Sequence, residues 1–251
     1  MPATNIDEVL SRLDEIIAQS IVQKDPHGVF AALYRRVTEA VKQGIGDGVY
    51  DDGPRMERLD VIFANRYISA WEARQQQQKA TEAWNMTFEA AGEGRRRLML
   101  QHLMLGMNAH INLDLGIAAA SVSKGADIAS LQADFNRISD LLLQMIDEVQ
   151  DSIRAVSPLF GIIDWFFKDR DERFAGFSLR TTRTLAWTTA NTLMTIPESE
   201  QSNMILLLDR QVAGIGKHIA APRGFFNWLI RMICYFENQD IAKQIAAVNS
   251  R

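Results

Sequence analysis

Along almost the whole chain, apolar side chains recur at spacings of three and four, and no stretch alternates strictly. That pattern predicts amphipathic helices and no sheet. The first helix spans about Ile6 to Val22 and buries Ile6, Val9, Leu10, Leu13, Ile16 and Ile17. Asp25-Pro26 reads as an N-cap followed by a first-turn proline, opening a second helix to about Gln43, where Gly44, Gly46 and Gly48 end it. Asp52-Gly53-Pro54 starts a third through Leu59, Ile62, Phe63, Tyr67 and Trp71. Thr81 caps a short fourth that carries Trp84 and Phe88 and closes at Gly92 and Gly94. A long central helix is expected from about Arg96 to Ser121, and another from Gly125 to about Val156, stopped by Ser157-Pro158. The aromatic stretch Leu159–Phe177 has no clear period and reads as short helices or a loop packed on the rest. Helices then cover about Leu179–Thr195, Glu198–Ala220 and Pro222–Asn238, with a short last segment, Ile241–Val248.

Connections are short and no linker divides the chain, so the reading is all-α: one compact domain over residues 1–251, a bundle of about nine to eleven helices. The central helix is the unusual one. Leu98-Met99-Leu100-Gln101-His102-Leu103-Met104-Leu105-Gly106-Met107 carries Leu and Met on every side, as does the continuation to Leu115, which marks a helix surrounded by others.

Composition narrows the function classes. With 47% hydrophobic and 23% charged residues the chain is ordinary for a globular protein, and its net charge of -4 gives no general field for nucleic acid or acidic membrane. The run Arg95-Arg96-Arg97 reads as a solvated turn at a helix start. The lone Cys234, among Met232, Ile233, Tyr235 and Phe236, reads as a buried small hydrophobe. No secretory leader is visible after Met1, so a cytoplasmic location is expected. Leu98–Val122 is long enough to span a membrane, but its two His, two Asn and one Asp make burial in a bundle the better reading.

Those same polar residues are the candidate chemistry. Polar groups on a helix buried all round must find partners, or each costs on the order of several kcal/mol. His110 and Asp114 lie one turn apart on one face, close enough to meet or to hold a ligand between them. In this reading His110 is the base or ligand and Asp114 orients it. His102 lies two turns earlier, about 12 Å along the axis, so it can share a long groove but not one coordination shell. Gly106, between them, leaves room for a backbone or a ligand. Asn108 and Asn112 pair on another face as helix-to-helix hydrogen-bonding groups. Arg66 and Tyr67 on the third helix, and Arg183 on a later one, are candidates to complete a ligand pocket. Arg183 reads more simply as packed over Trp187, one turn on. An inward arginine needs an acid, and Asp60 or Asp114 is available by type.

A metal site at His110 and Asp114 is the alternative. The only other histidines besides His102 are His27 and His218, each near a helix end, and no Glu-x-x-His pair of the di-iron type occurs. Gly44-Ile45-Gly46-Asp47-Gly48 lacks the lysine and preceding strand of a phosphate loop, and no serine nucleophile elbow is present.

The run Leu105-Gly106-Met107-Asn108-Ala109-His110-Ile111-Asn112-Leu113-Asp114-Leu115 resembles the signature of an uncharacterised family of bacterial and fungal proteins, known only as a domain of unknown function. Arg55-Met56-Glu57-Arg58-Leu59-Asp60-Val61, Phe63-Ala64-Asn65-Arg66-Tyr67 and Arg183-Thr184-Leu185-Ala186-Trp187 are similar to it as well. The resemblance spans most of the chain and implies no reaction, cofactor or substrate. Helical zinc-dependent phospholipases and nucleases also use His-x-x-x-Asp pairs, but this chain lacks the further histidines they need.

Three function classes follow: a small-molecule enzyme or binding protein built on His110 and Asp114, a mononuclear metal site at the same residues, or a structural or partner-binding helical module. The sequence specifies no cofactor and no oligomeric state.

Overall fold

The computed structural model describes residues 1–92, 97–138, 140–142, 144–145 and 179–249. Among them are ten α-helices and no strand: α1 (Ile6–Gln23), α2 (Gly28–Gly46), α3 (Gly53–Gln75), α4 (Glu82–Gly92), α5 (Met99–Ala109), α6 (Gly116–Val122), α7 (Leu179–Thr195), α8 (Glu198–Ala220), α9 (Phe225–Phe236) and α10 (Ile241–Asn249). A 3₁₀ turn, Ile128–Leu131, leads into a further helical run over 132–138. The expected aromatic segment Leu159–Phe177 and the end of the expected Gly125–Val156 helix lie outside the described residues.

The central element departs from a plain helix. Between α5 and α6 the chain passes through a π-helical turn, His110–Leu115, all six of whose residues are buried. A π turn closes i→i+5 hydrogen bonds and holds one residue more than the α turn it replaces, a feature often found at functional sites. It leaves no trace in the hydrophobic pattern, because residues on every face of this helix are buried and an added residue exposes nothing. Around the central element pack α2, α3, α4, α7 and α8. Its burial explains why an apolar run of this length stays inside, and among the described residues no helix is long and apolar enough to cross a membrane.

Long-range carboxylates tie the helix starts together. Asp209 of α8 accepts hydrogen bonds from the backbone of Glu82 (2.7 Å) and Ala83 (2.8 Å) at the start of α4. Glu237 accepts from the Met99 amide at the start of α5, 3.1 and 3.2 Å from its two oxygens. Asp134 accepts from the amides of Asp51 (2.8 Å) and Asp52 (3.1 Å), just before α3. Each satisfies amides that a helix start or turn leaves open and meets the positive end of a helix dipole. Within its own segment, Asp52 caps α3 as expected, accepting from the Arg55 amide at 2.9 Å.

Other expectations are corrected. The second helix starts at Gly28, after His27, and Asp25 makes no helix cap. Its carboxylate instead takes the His27 amide, the His27 ring and Arg74. The stretch expected to run from Pro222 becomes α9 only at Phe225, because Gly224 turns with φ 68°. Arg97 is buried rather than solvated, its Nε donating to the Ala220 carbonyl at 3.4 Å; Arg95 and Arg96 lie outside the described residues. Cys234 is buried, as its neighbours indicate.

Two glycines set how closely elements approach. A Cβ at Gly116 would meet the Ala186 carbonyl oxygen at 2.8 Å, so α6 and α7 touch there backbone to backbone. At Gly106 it would stand 2.3 Å from Cγ of Phe30, whose ring fills the gap the sequence left open. Gly106→Ala should therefore lower unfolding stability in urea by about 1–3 kcal/mol, the cost of overpacking a filled core. Combining it with Phe30→Leu should recover part of the loss; equal stability of the wild type and the single variant would show that the ring moves freely.

Candidate functional site

Asp114 is the meeting point. It is fully buried, and both of its oxygens are engaged from other helices: Arg66 Nε of α3 donates to Oδ1 at 2.6 Å, and Trp84 Nε1 of α4 donates to Oδ2 at 2.8 Å. His110 Nδ1 lies 3.5 Å from Oδ2, at the long limit of a hydrogen bond. A carboxylate only accepts, so it selects the tautomer with the proton on Nδ1 and leaves Nε2 bare as an acceptor. That Nε2 is buried and has no hydrogen-bond partner.

The imidazole is held as tightly by rings as by Asp114. Phe63 stacks on it with centroids 3.5 Å apart and planes 9° from parallel, while Tyr34 meets it edge-on at 4.4 Å. Burial lowers the His110 pKa, with Asp114 opposing and Arg66 adding to the shift. The ring is therefore neutral at ordinary pH.

Two spaces flank this pair. On the His110 side is a partly open cavity of about 60 Å³, walled chiefly by aliphatic and aromatic side chains of α2, α3 and the central element, with Ile138, Leu142 and Met145 on one side. That is room for a few water-sized groups. Its polar atoms come from His110, Tyr34 and Asp60. On the Asp114 side is an open groove of about 450 Å³ lined by polar side chains, among them Arg66, Ser69, Lys79 and Thr81. His110 lines the apolar cavity and Asp114 the open groove, so the pair lies between the two.

Of the two acids available by type to an inward arginine, Asp114 takes Arg66, and Asp60 pairs with no arginine among the described residues. Asp60 lines the cavity, and its Oδ2 is buried without a partner. Burial, with Glu57 nearby, pushes its pKa up to about 7. The available signal was an acid within the apolar positions Leu59, Val61 and Ile62; helical spacing alone gave it no partner.

The other candidates fall into separate places. Arg66 reaches the site from the groove, and its side chain is 27% exposed. Tyr67 packs against Phe30 and Trp84 behind Asp114, off the cavity wall, its hydroxyl buried without a partner. Asn112 donates to Asn108 (2.9 Å), and Asn108 donates to the Val212 carbonyl of α8 (2.9 Å), the helix-to-helix link expected of them. Arg183 lies over Phe135 rather than Trp187, 5.3 Å from the ring centroid, and donates to the Phe135 carbonyl at 2.6 Å. Phe135 intervenes between the two, its ring 5.0 Å from Trp187. His102 does not share the His110 chamber; it meets His27 edge-on at 6.1 Å. His27 spends both ring nitrogens, Nδ1 on Asp25 (2.6 Å) and Nε2 on the Thr87 carbonyl (3.0 Å). Among the described residues no three His, Cys, Asp or Glu side chains gather as a metal site.

Comparison with known proteins adds a family and no activity. A family model described as a family of unknown function (DUF5995) matches residues 6–222, and the chain belongs to that family. No curated protein and no solved structure matches the chain.

Two predictions follow from the buried charges. Asp114→Asn leaves Arg66 without its counter-charge and should cost about 2–4 kcal/mol in urea unfolding, short of a fully buried pair because Arg66 reaches solvent. A loss below about 1 kcal/mol would show the pair to be solvated. The second concerns pH. Asp60 rises from 3.8 to about 7 on folding, so its stabilising contribution is complete at low pH and is lost as pH climbs through that window. His102 is driven down from 6.5 to about 3, by burial first and then by His27 and Arg97. Its contribution is complete above 6.5 and is lost as pH falls. Going from about pH 4.5 to about pH 7.5, Asp60→Asn should gain stability relative to wild type and His102→Gln should lose it. Parallel slopes for the two variants would contradict both assignments.

Proposed function

We propose that this protein is a small-molecule enzyme whose buried cavity takes a compact, largely apolar molecule and whose His110 accepts a proton from it. The observation that carries this reading is the bare Nε2 of His110, buried without a partner in a residue that lines the cavity, while Nδ1 is turned to Asp114. Buried polar atoms are usually satisfied, so one left open in a residue that lines a cavity suits a ligand that would meet it.

The surroundings support a base rather than a structural histidine. Asp114 orients the ring and stabilises the imidazolium that forms when Nε2 takes a proton. Arg66 and Trp84 hold that carboxylate in place. Stacking on Phe63 keeps the ring from turning. The neutral ring is the form a base needs. The cavity walls are largely apolar and offer two methionines, Met107 and Met145, that adapt to an occupant larger than the empty space. The metal alternative has less support, because both oxygens of Asp114 already accept from Arg66 and Trp84. The whole chain serves as one domain in this reading, supported by a core that runs from Ala3 to Val248.

The test uses cyclopentanol and cyclopentane, followed by NMR shift changes of the protein. In His110→Phe the stack on Phe63 is preserved and the acceptor is gone. Cyclopentanol should bind wild type and lose about tenfold affinity in the variant, the worth of one hydrogen bond, while cyclopentane binds the variant at least as well. Equal losses for both probes, or no binding of either to wild type, would refute the reading.

A further inference from the structure

We propose that Asp60 stands in the cavity as a neutral carboxylic acid and donates a hydrogen bond to the occupant, so that the site takes uncharged molecules carrying a carbonyl or hydroxyl oxygen and rejects anions. This rests on the cavity reading above and names its ligand class.

Three observations carry it. First, Asp60 lines the cavity and its Oδ2 is buried without a partner, as is Nε2 of His110, which also lines it. Three residues lining one cavity, Tyr34 with its unmet hydroxyl included, therefore carry an unmet buried polar atom, which suits a polar group on an otherwise apolar molecule. Second, no lysine or arginine is among the described residues of the wall. Arg66 lies on the far side, bonded to Asp114, and lines the groove instead. An anionic headgroup would enter with no counter-charge, at a desolvation cost that an apolar chamber does not return. Third, the groups around Asp60 are acidic or neutral. Glu57 shares its helix, Tyr34 and His110 lie on the same wall, and Tyr50 is near enough to feel its charge. None favours the carboxylate form, and the rise of its pKa to about 7 agrees with that. A protonated carboxyl has one O–H to give, and neutral His110 has one lone pair to receive. A hydroxyl can meet both at once, accepting from Asp60 and donating to His110. A carbonyl oxygen meets the acid alone and leaves its neighbouring C–H for the base.

The experiment measures binding of cyclopentanone and of cyclopentanecarboxylate to the full-length chain by NMR. Ketone affinity should fall about tenfold between about pH 5.5 and about pH 8.5 as Asp60 ionises and loses its donor. In Asp60→Asn, whose amide donates at every pH, it should stay constant. Cyclopentanecarboxylate should show no saturable binding at about pH 8. Ketone binding that does not change with pH in wild type, or carboxylate binding as tight as the ketone's, would overturn the assignment. Both measurements stand on wild type alone should the variant fail to fold. Cyclopentanol binding and its loss in His110→Phe report on the cavity itself, so failure here with that result intact removes only the role of Asp60.

Discussion

Placing a carboxylate with no exposed surface at the centre of a helical bundle constrains everything around it. Asp114 survives there because a guanidinium and an indole N–H reach it from two different helices. The Coulomb attraction and two charge-assisted hydrogen bonds offset a desolvation cost that would otherwise expel the group. This demand sets where α3 and α4 lie against the central element, because Arg66 and Trp84 can reach Asp114 from few positions. It also sets the histidine. With Oδ2 shared between the indole and the imidazole, His110 receives a long contact, adequate to fix its tautomer and too weak to saturate the ring.

The π turn belongs to the same constraint. It spans His110 to Leu115, so both ends of the dyad lie within it. Gly106, one turn before, admits Phe30 against the central element, and Phe30 in turn meets His110, Tyr67 and Trp84. The aromatic side chains around the imidazole come from α2, α3 and α4, so no single helix positions the ring. Removing one neighbour would leave the others to hold it.

Much of this was legible in the sequence. The 3.6-residue period located the helices because each has one apolar face, and the loss of that period around Leu98–Leu115 identified the buried element. The spacing of His110 and Asp114 placed them together correctly, as it did Asn108 and Asn112. What spacing could not supply was the third dimension. Arg183 sits over Phe135 and not Trp187 because the helical run over 132–138, distant in sequence, packs between them. Asp25 looked like a cap because Pro26 follows it, yet its carboxylate is taken by the ring of His27, two residues on, and by Arg74 of α3. Asp60 gave no pairing signal, and its Oδ2 has no hydrogen-bond partner among the described residues.

The contrast among the buried histidines shows why burial alone does not make a site. His27 is as buried as His110, but both of its nitrogens are spent on Asp25 and Thr87. Nothing remains to offer a ligand, and its role is to lock α2 against α4. His102 leaves Nδ1 unmet, but it lines neither of the two spaces that flank the dyad. Of the three, His110 alone combines an unmet nitrogen with a place on the cavity lining and a carboxylate beside it. Chemistry at a buried histidine needs all three together: a carboxylate to set the tautomer, a vacant lone pair, and room for the molecule that will meet it.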